Sequence, residues 1–154
     1  MTSPAPSPQA LEGFILDGIP LARAMQVRIA GFDGACLSMT APLALNINDK
    51  GCAFGGSLAS LMTLAGWALV ESVLRARGYD CDLFVADSTV RYLAPVWDDL
   101  RAEARLGVGG DWGPFLATLD ARGRARVDVT CVVPGDDGKP AASLEARFVA
   151  KRRA

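Results

Sequence analysis

The stretch AFGGSLASLMTLAGWALVESVLRARG, residues 53–78, decides the fold. Its spacing predicts one helix over Ala53–Arg77. From Leu58 to Val70 only Ser60, Thr63 and Gly66 interrupt the apolar side chains. A helix apolar almost all the way round is buried, not amphipathic. Its small residues, Ala59, Ser60, Ala65, Gly66 and Ala68, let other backbones come close. Gly78 stops it just after Arg75 and Arg77, whose charge suits a helix C-terminus. The apolar run covers about 13 residues against the roughly 20 of a bilayer span, so no membrane span is expected.

A helix hidden on every side needs a sheet around it, and the downstream sequence reads as one. Leu83–Leu93 is a strand ended by Ala94-Pro95. Asp99–Leu106 alternates, with Leu100, Ala102, Ala104 and Leu106 on one side and charges on the other. Arg124–Val133 alternates again, placing Ala125, Val127, Val129, Cys131 and Val133 inward. Pro134–Gly138 is a turn, after which Leu144, Ala146, Phe148 and Ala150 face inward. These period-2 faces describe an antiparallel sheet buried on one side. Trp112–Leu119 reads as a short helix capped by Asp111, with Pro114 in its first turn. Upstream, two short helical stretches between Gln9 and Met25 are broken at Gly18-Ile19-Pro20. A hairpin follows, Met25–Ala30 and Ala35–Ala41 around Gly31-Phe32-Asp33-Gly34. Pro42–Cys52 reads as a loop. The expected fold class is α+β, an antiparallel sheet wrapped around one long buried helix, which is the hot-dog architecture. A generic sandwich with the helix on one face is the alternative.

Composition bounds the chemistry. The chain has 154 residues, 16 Lys+Arg, 17 Asp+Glu and no histidine. Residues 9–154 are one ordinary domain and the Pro/Ser-rich residues 1–8 a frayed tail. Near-zero net charge gives no reason to expect nucleic acid. Without histidine there is no Ser-His-Asp or Cys-His apparatus and no HExxH zinc site. Cys36, Cys52, Cys81 and Cys131 form no CxxC pair, and no metal site is expected. Reduced thiols and an N-terminus lacking signal-peptide regions point to a cytoplasmic protein.

The segment that carries chemistry is Asn46-Ile47-Asn48-Asp49-Lys50-Gly51-Cys52-Ala53-Phe54-Gly55-Gly56-Ser57, which opens the buried helix. Gly55 and Gly56 leave the first N–H groups unobstructed. Those groups and the helix dipole suit a developing negative charge on oxygen. The amide of Asn48 adds a donor or orients a water. The plain alternative is a loop and helix cap whose glycines serve packing. Ser57 is expected to cap the helix or to line the pocket.

Asn48-x-x-Gly51-x-x-Phe54-Gly55-Gly56 resembles the N-x-x-G-x-x-[HF]-G-G element of hot-dog acyl thioesterases. Ile19-Pro20-Leu21, Ala41-Pro42-Leu43, Leu64-Ala65-Gly66-Trp67, Tyr92-Leu93-x-Pro95-Val96, Gly123-Arg124-Ala125-Arg126 and Phe148-Val149-Ala150 extend the match from about Leu11 to Arg152. Together they resemble a narrower group, thioesterase-like domains found C-terminal to an acetyltransferase-like domain in some bacterial proteins. The resemblance implies acyl-thioester substrates on coenzyme A or acyl carrier protein. Apart from coenzyme A or phosphopantetheine in the substrate, it implies no cofactor. It also implies a homodimer, with assembly into a dimer of dimers left open.

Many hot-dog hydrolases carry a carboxylate seven residues after the second glycine, here Thr63. Another pattern has aspartate two residues before the loop asparagine, here Asn46. Both positions are neutral, leaving Asp49 and Glu71 as candidate bases, with Glu71 about four turns from the glycines. A missing base counts against hydrolysis and much less against losing CO2 from a malonyl thioester. Proteins resembling this group are assigned as malonyl-acyl carrier protein decarboxylases. The expected chemical residues are therefore Asn48, Gly56, Ser57 and Asn46. Phe54, Gly55, Asp49, Thr63 and Tyr92 are expected along the substrate. Hydrolysis of an acyl thioester and a non-catalytic acyl-thioester-binding module remain alternatives. Cys52, with no histidine partner, reads mainly as a small loop residue. Arg122, Arg124 and Arg126, with Arg147, Lys151 and Arg153, form either a phosphate-binding or carrier-binding patch or a solvated face. Trp67 and Met62 read as core or dimer packing.

Overall fold

The computed structural model describes residues 7–154. The expected tail lies outside them except for its last two residues. Ser7 there caps α1 (Pro8–Gly18), its side chain accepting from Ala10 N. A second short helix, α2 (Pro20–Met25), follows after the break at Ile19. The strands β1 (Arg28–Phe32) and β2 (Leu37–Ala41) form the hairpin. Its turn lies two residues later than the sequence suggests. The Asp33 carboxylate accepts from Ala35 N and Cys36 N, and Gly34 takes φ +97°. That side chain, not the glycine alone, sets the turn.

The buried helix α3 spans Gly55–Ala76. It is followed by β3 (Cys81–Tyr92), β4 (Leu100–Leu106), α4 (Trp112–Arg122), β5 (Arg124–Pro134) and β6 (Pro140–Arg152). Asp111 caps α4 by accepting from Gly113 N, as its sequence predicts. The strands make one antiparallel sheet in the order β1-β2-β4-β5-β6-β3. Helix α3 lies against five of the six strands, touching β2, β3, β4, β5 and β6. This is the wrapped α+β architecture and not a flat sandwich. The inward positions read from the alternation are buried: Leu100, Ala102, Ala104, Val129, Cys131, Leu144 and Phe148.

By length and hydropathy α3 would suffice to cross a membrane, more than its 13-residue apolar run suggests. The sheet accounts for that composition: Leu61, Met62, Ala65, Ala68, Leu69 and Val70 have no exposed surface. Gly66 marks the closest approach. A side-chain carbon there would stand 3.1 Å from Cε2 of Phe148 and 3.4 Å from Sγ of Cys131. The Cys131 thiol contacts Met62 O at 3.2 Å, and burial pushes its pKa up to about 12. All four cysteines are unpaired.

Helix α1 meets α3 through Phe14. The Phe14 ring stacks on Trp67 with 6.1 Å between centroids, and the Arg75 guanidinium sits 4.4 Å above Phe14. At the other end, Asn46 anchors the loop that enters α3. Its side chain is 2 % exposed and donates to the carbonyls of Met25 at 3.1 Å and Pro42 at 2.8 Å. Its own carbonyl accepts from Phe54 N at 2.8 Å. Asn46 thereby joins the α2–β1 junction, the β2 exit and the start of α3.

Two stability predictions follow from these contacts. Gly66→Val forces a branched side chain against Phe148 and should lower unfolding free energy by about 2 kcal/mol in urea titration. Asn46→Asp faces two carbonyl oxygens with a group that donates only when protonated. Burial and those oxygens raise its folded-state pKa, so folding binds a proton. The variant should lie closest to the parent below about pH 4 and lose roughly 3 kcal/mol by pH 7. Equal losses at both pH values would contradict the assigned bonds.

Candidate functional site

Helix α3 begins without a side-chain cap. Phe54 occupies the N-cap position with φ −66° and ψ 131°, and the first intrahelical bond runs from Leu58 N to Phe54 O. Gly55, Gly56 and Ser57 are thus the first three helical residues, whose N–H groups have no partner in their own helix. Ser57 is the third of these and does not cap the helix, contrary to the capping expected of it, because the N-cap position falls on Phe54. Two backbone bonds fix where this helix end points: Phe54 N to Asn46 O and Ala53 N to Val96 O, each 2.8 Å.

The preceding loop closes on itself through Asn48 N to Cys52 O at 2.7 Å and Gly51 N to Asn48 O at 3.2 Å. Gly51 sits at φ +87°, a conformation that explains this glycine of the motif. The Asn48 side chain is held at both ends. Its Oδ1 accepts from Lys50 N at 2.8 Å and its Nδ2 donates to Cys52 Sγ at 3.2 Å.

Asn48, Cys52, Gly55, Leu58 and Tyr92 line an open cleft of about 370 Å³, with the Leu93–Val96 segment as its far wall. Tyr92 comes from the same chain; its hydroxyl donates to Gly55 O at 3.2 Å. A side-chain carbon on Gly55 would lie 3.3 Å from the Tyr92 ring, and one on Gly56 would overlap the Phe54 ring. The two glycines therefore make room for two rings over the helix end. Phe54 and Tyr92 are both more than half exposed, at 54 % and 56 %. Of the sequence candidates, Asn48, Gly55 and Tyr92 line the cleft, and Phe54, Gly56 and Ser57 adjoin it along the chain.

The remaining candidates lie elsewhere or are engaged. Asn46 is turned into the protein and ties the loop down. Thr63 spends its hydroxyl on Ala59 O at 2.8 Å, inside its own helix. Asp49 is exposed and pairs with Lys50 at 2.9 Å; that hydrogen bond and charge hold its carboxyl below the usual range, which weakens it as a base. Glu71 is buried in an ion pair with Arg75 at 2.7 Å. Among the described residues no carboxylate lines the cleft.

The arginines divide similarly. Arg124, Arg126, Arg147 and Lys151 point to the outer face of the sheet, away from α3. Arg147 is paired with Asp128, and Arg153 with Asp80 and Asp82. A slightly larger groove of about 390 Å³ lies on that outer face around Asp87, Asp128, Glu145 and Arg147. Its cation is already paired with Asp128, and the sheet separates it from the helix end. The sequence reading missed Cys52 as a partner of Asn48. The signal was present as two polar residues four apart in a loop closed by Gly51.

Comparison with known proteins agrees with this fold. The family described as "Putative thioesterase (yiiD_Cterm)" matches residues 8–152. A solved structure from Shewanella oneidensis, titled as a "putative thioesterase", is 31% identical with a TM-score of 0.82, over 94% of this chain and 96% of that one. One of unknown function from Chlorobaculum tepidum is 26% identical with a TM-score of 0.89, over 97% and 99%. A probable thioesterase from Pseudomonas aeruginosa, 22% identical with a TM-score of 0.76 over 98% and 100%, shares the fold. The long apolar helix inside a curled sheet is the fold these structures share, and this chain belongs to the YiiD C-terminal thioesterase family.

Proposed function

We propose that the protein acts on acyl thioesters of coenzyme A or acyl carrier protein, and that its reaction is decarboxylation of a malonyl thioester. The observation that carries this reading is the pairing of free donors with a cleft that holds no carboxylate. Asn48 and Gly55, the first residue of α3, line the cleft, while Asp49 and Glu71 are tied to cations. Thioester hydrolysis gains from a base that activates water. Losing CO2 needs none. The C–C bonding pair of the malonyl group passes into a C=C bond as CO2 leaves, and the charge collects on the thioester oxygen. The enolate carbon then takes a proton from water, giving an acetyl thioester with the C–S bond intact. Donors placed before the reaction to receive that oxygen lower its barrier, each by roughly 3 kcal/mol. Hydrolysis of an acyl thioester is the second reading, favoured by the thioesterase family and the Shewanella relative.

A homodimer belongs to the same proposal. The strand β3 stands at the edge of the sheet, 12 residues long, with its outer backbone edge unpaired. It carries Phe84 at 60 % and Val85 at 45 % exposure. Long apolar edges are normally covered, and two copies related by a two-fold axis cover each other.

Given a malonyl thioester, the protein should produce the acetyl thioester on an intact carrier, followed by mass spectrometry. Free thiol with malonate and no acetyl thioester would instead establish hydrolysis. Asn48→Ala should lower kcat at least about 100-fold while substrate Kd changes little. An unchanged kcat removes Asn48 from the chemistry, and a loss of affinity alone favours a binding module. For the assembly, light scattering should give twice the chain mass, and Val85→Glu should give the single-chain mass with the fold retained.

A further inference from the structure

We propose that Cys52 is a positioning residue, whose sulfur sets the plane of the Asn48 carboxamide for its work on the thioester oxygen. The inference rests on the Asn48 reading above. A carboxamide held only through its oxygen can rock about that one hydrogen bond. Here Oδ1 is fixed by Lys50 N at 2.8 Å, and Nδ2 is fixed separately by Cys52 Sγ at 3.2 Å. Two contacts on opposite ends define a plane, and they also forbid the flipped amide, which would set N–H against the Lys50 N–H. Nδ2 has two hydrogens, and the sulfur takes one. The other is left for a ligand in the cleft that both residues line.

Cys52 is itself well held. It is 6 % exposed, and its backbone carbonyl accepts from Asn48 N at 2.7 Å. One residue thus grips Asn48 through main chain and side chain together, across a turn that Gly51 closes. A thiol sulfur is a weak acceptor, so it orients the amide without binding it more strongly than a substrate oxygen does. Pre-set orientation of this kind accelerates turnover without adding affinity. The chain has no histidine to take the thiol proton, so the sulfur is used as an acceptor and not as a nucleophile.

The test is a double-mutant cycle on the full chain with a malonyl thioester, each variant first checked by thermal melting. Cys52→Ala should lower kcat about tenfold with KM within about twofold, and Cys52→Ser should recover most of that loss. In the Asn48→Ala background, Cys52→Ala should cost nothing further. An equal loss in both backgrounds, or parental kcat in Cys52→Ala, would overturn the proposal. Nitrogen-15 NMR of the Asn48 side-chain amide gives a readout independent of turnover. Cys52→Ala should shift one of its two proton resonances and speed that proton's exchange. Unchanged resonances overturn the contact, whereas shifted resonances with full turnover in Asn48→Ala overturn the Asn48 reading instead.

Discussion

Burial of one apolar helix is the constraint on which the rest depends. Helix α3 presents Leu61, Met62, Leu69 and Val70 in different directions, and all are fully hidden. No single flat face could cover them, so the sheet has to curl. Curling demands small side chains where helix and sheet are closest, which is why Gly66 lies against Phe148 and Cys131. The curled sheet covers the flanks of α3, and α1 adds the Phe14 ring against Trp67. The helix N-terminus remains, and it emerges at one end of the sheet with its first N–H groups unbonded. The proposed site lies where burial of the helix stops.

That end is held in place by hydrogen bonds from three neighbouring segments. Asn46 carries two carbonyls on its side-chain nitrogen and the start of α3 on its own carbonyl. Val96 O fixes Ala53, and Tyr92 bonds Gly55 O. Each bond keeps the helix end and the Asn48 loop in one relative position. A site that works through fixed donors depends on such support, because a donor that must reorient during the reaction contributes less. The neutral residues at positions 46 and 63 also acquire a structural sense. An asparagine amide can donate to Met25 O and Pro42 O where an ionised aspartate could not, and Thr63 is satisfied within its own helix.

Much of this is legible in the sequence, and the limits have physical causes. Period-2 alternation in β4, β5 and β6 and the all-round apolar helix name the elements and their inward faces, because burial acts residue by residue. The family resemblance locates Asn48, Gly55 and Gly56. What the sequence does not show is which polar atoms meet. Asn46 and Asn48 look equivalent two positions apart, yet one turns inward to backbone carbonyls and the other lines the cleft. Ser57 is a good capping residue by type, but the chain turns into the helix at Phe54, three residues too early for Ser57 to cap. Tyr92 reads as a residue along the substrate, but its bond to Gly55 O shows only once β3 is seen to end beside α3. The basic positions of β5 and β6 fall on the outer face, as the same alternation implies.

The central claim is that Asn48 and the opening turn of α3 receive the thioester oxygen. It is tested most directly by a crystal structure with a malonyl-thioester analogue that cannot lose CO2. The account predicts the thioester oxygen within hydrogen-bond distance of Asn48 Nδ2 and of a backbone N–H from Gly55–Ser57, with the C–C bond to the carboxylate pointing away from both. A thioester oxygen beyond reach of Asn48, with the malonyl carboxylate occupying the helix end, would contradict it.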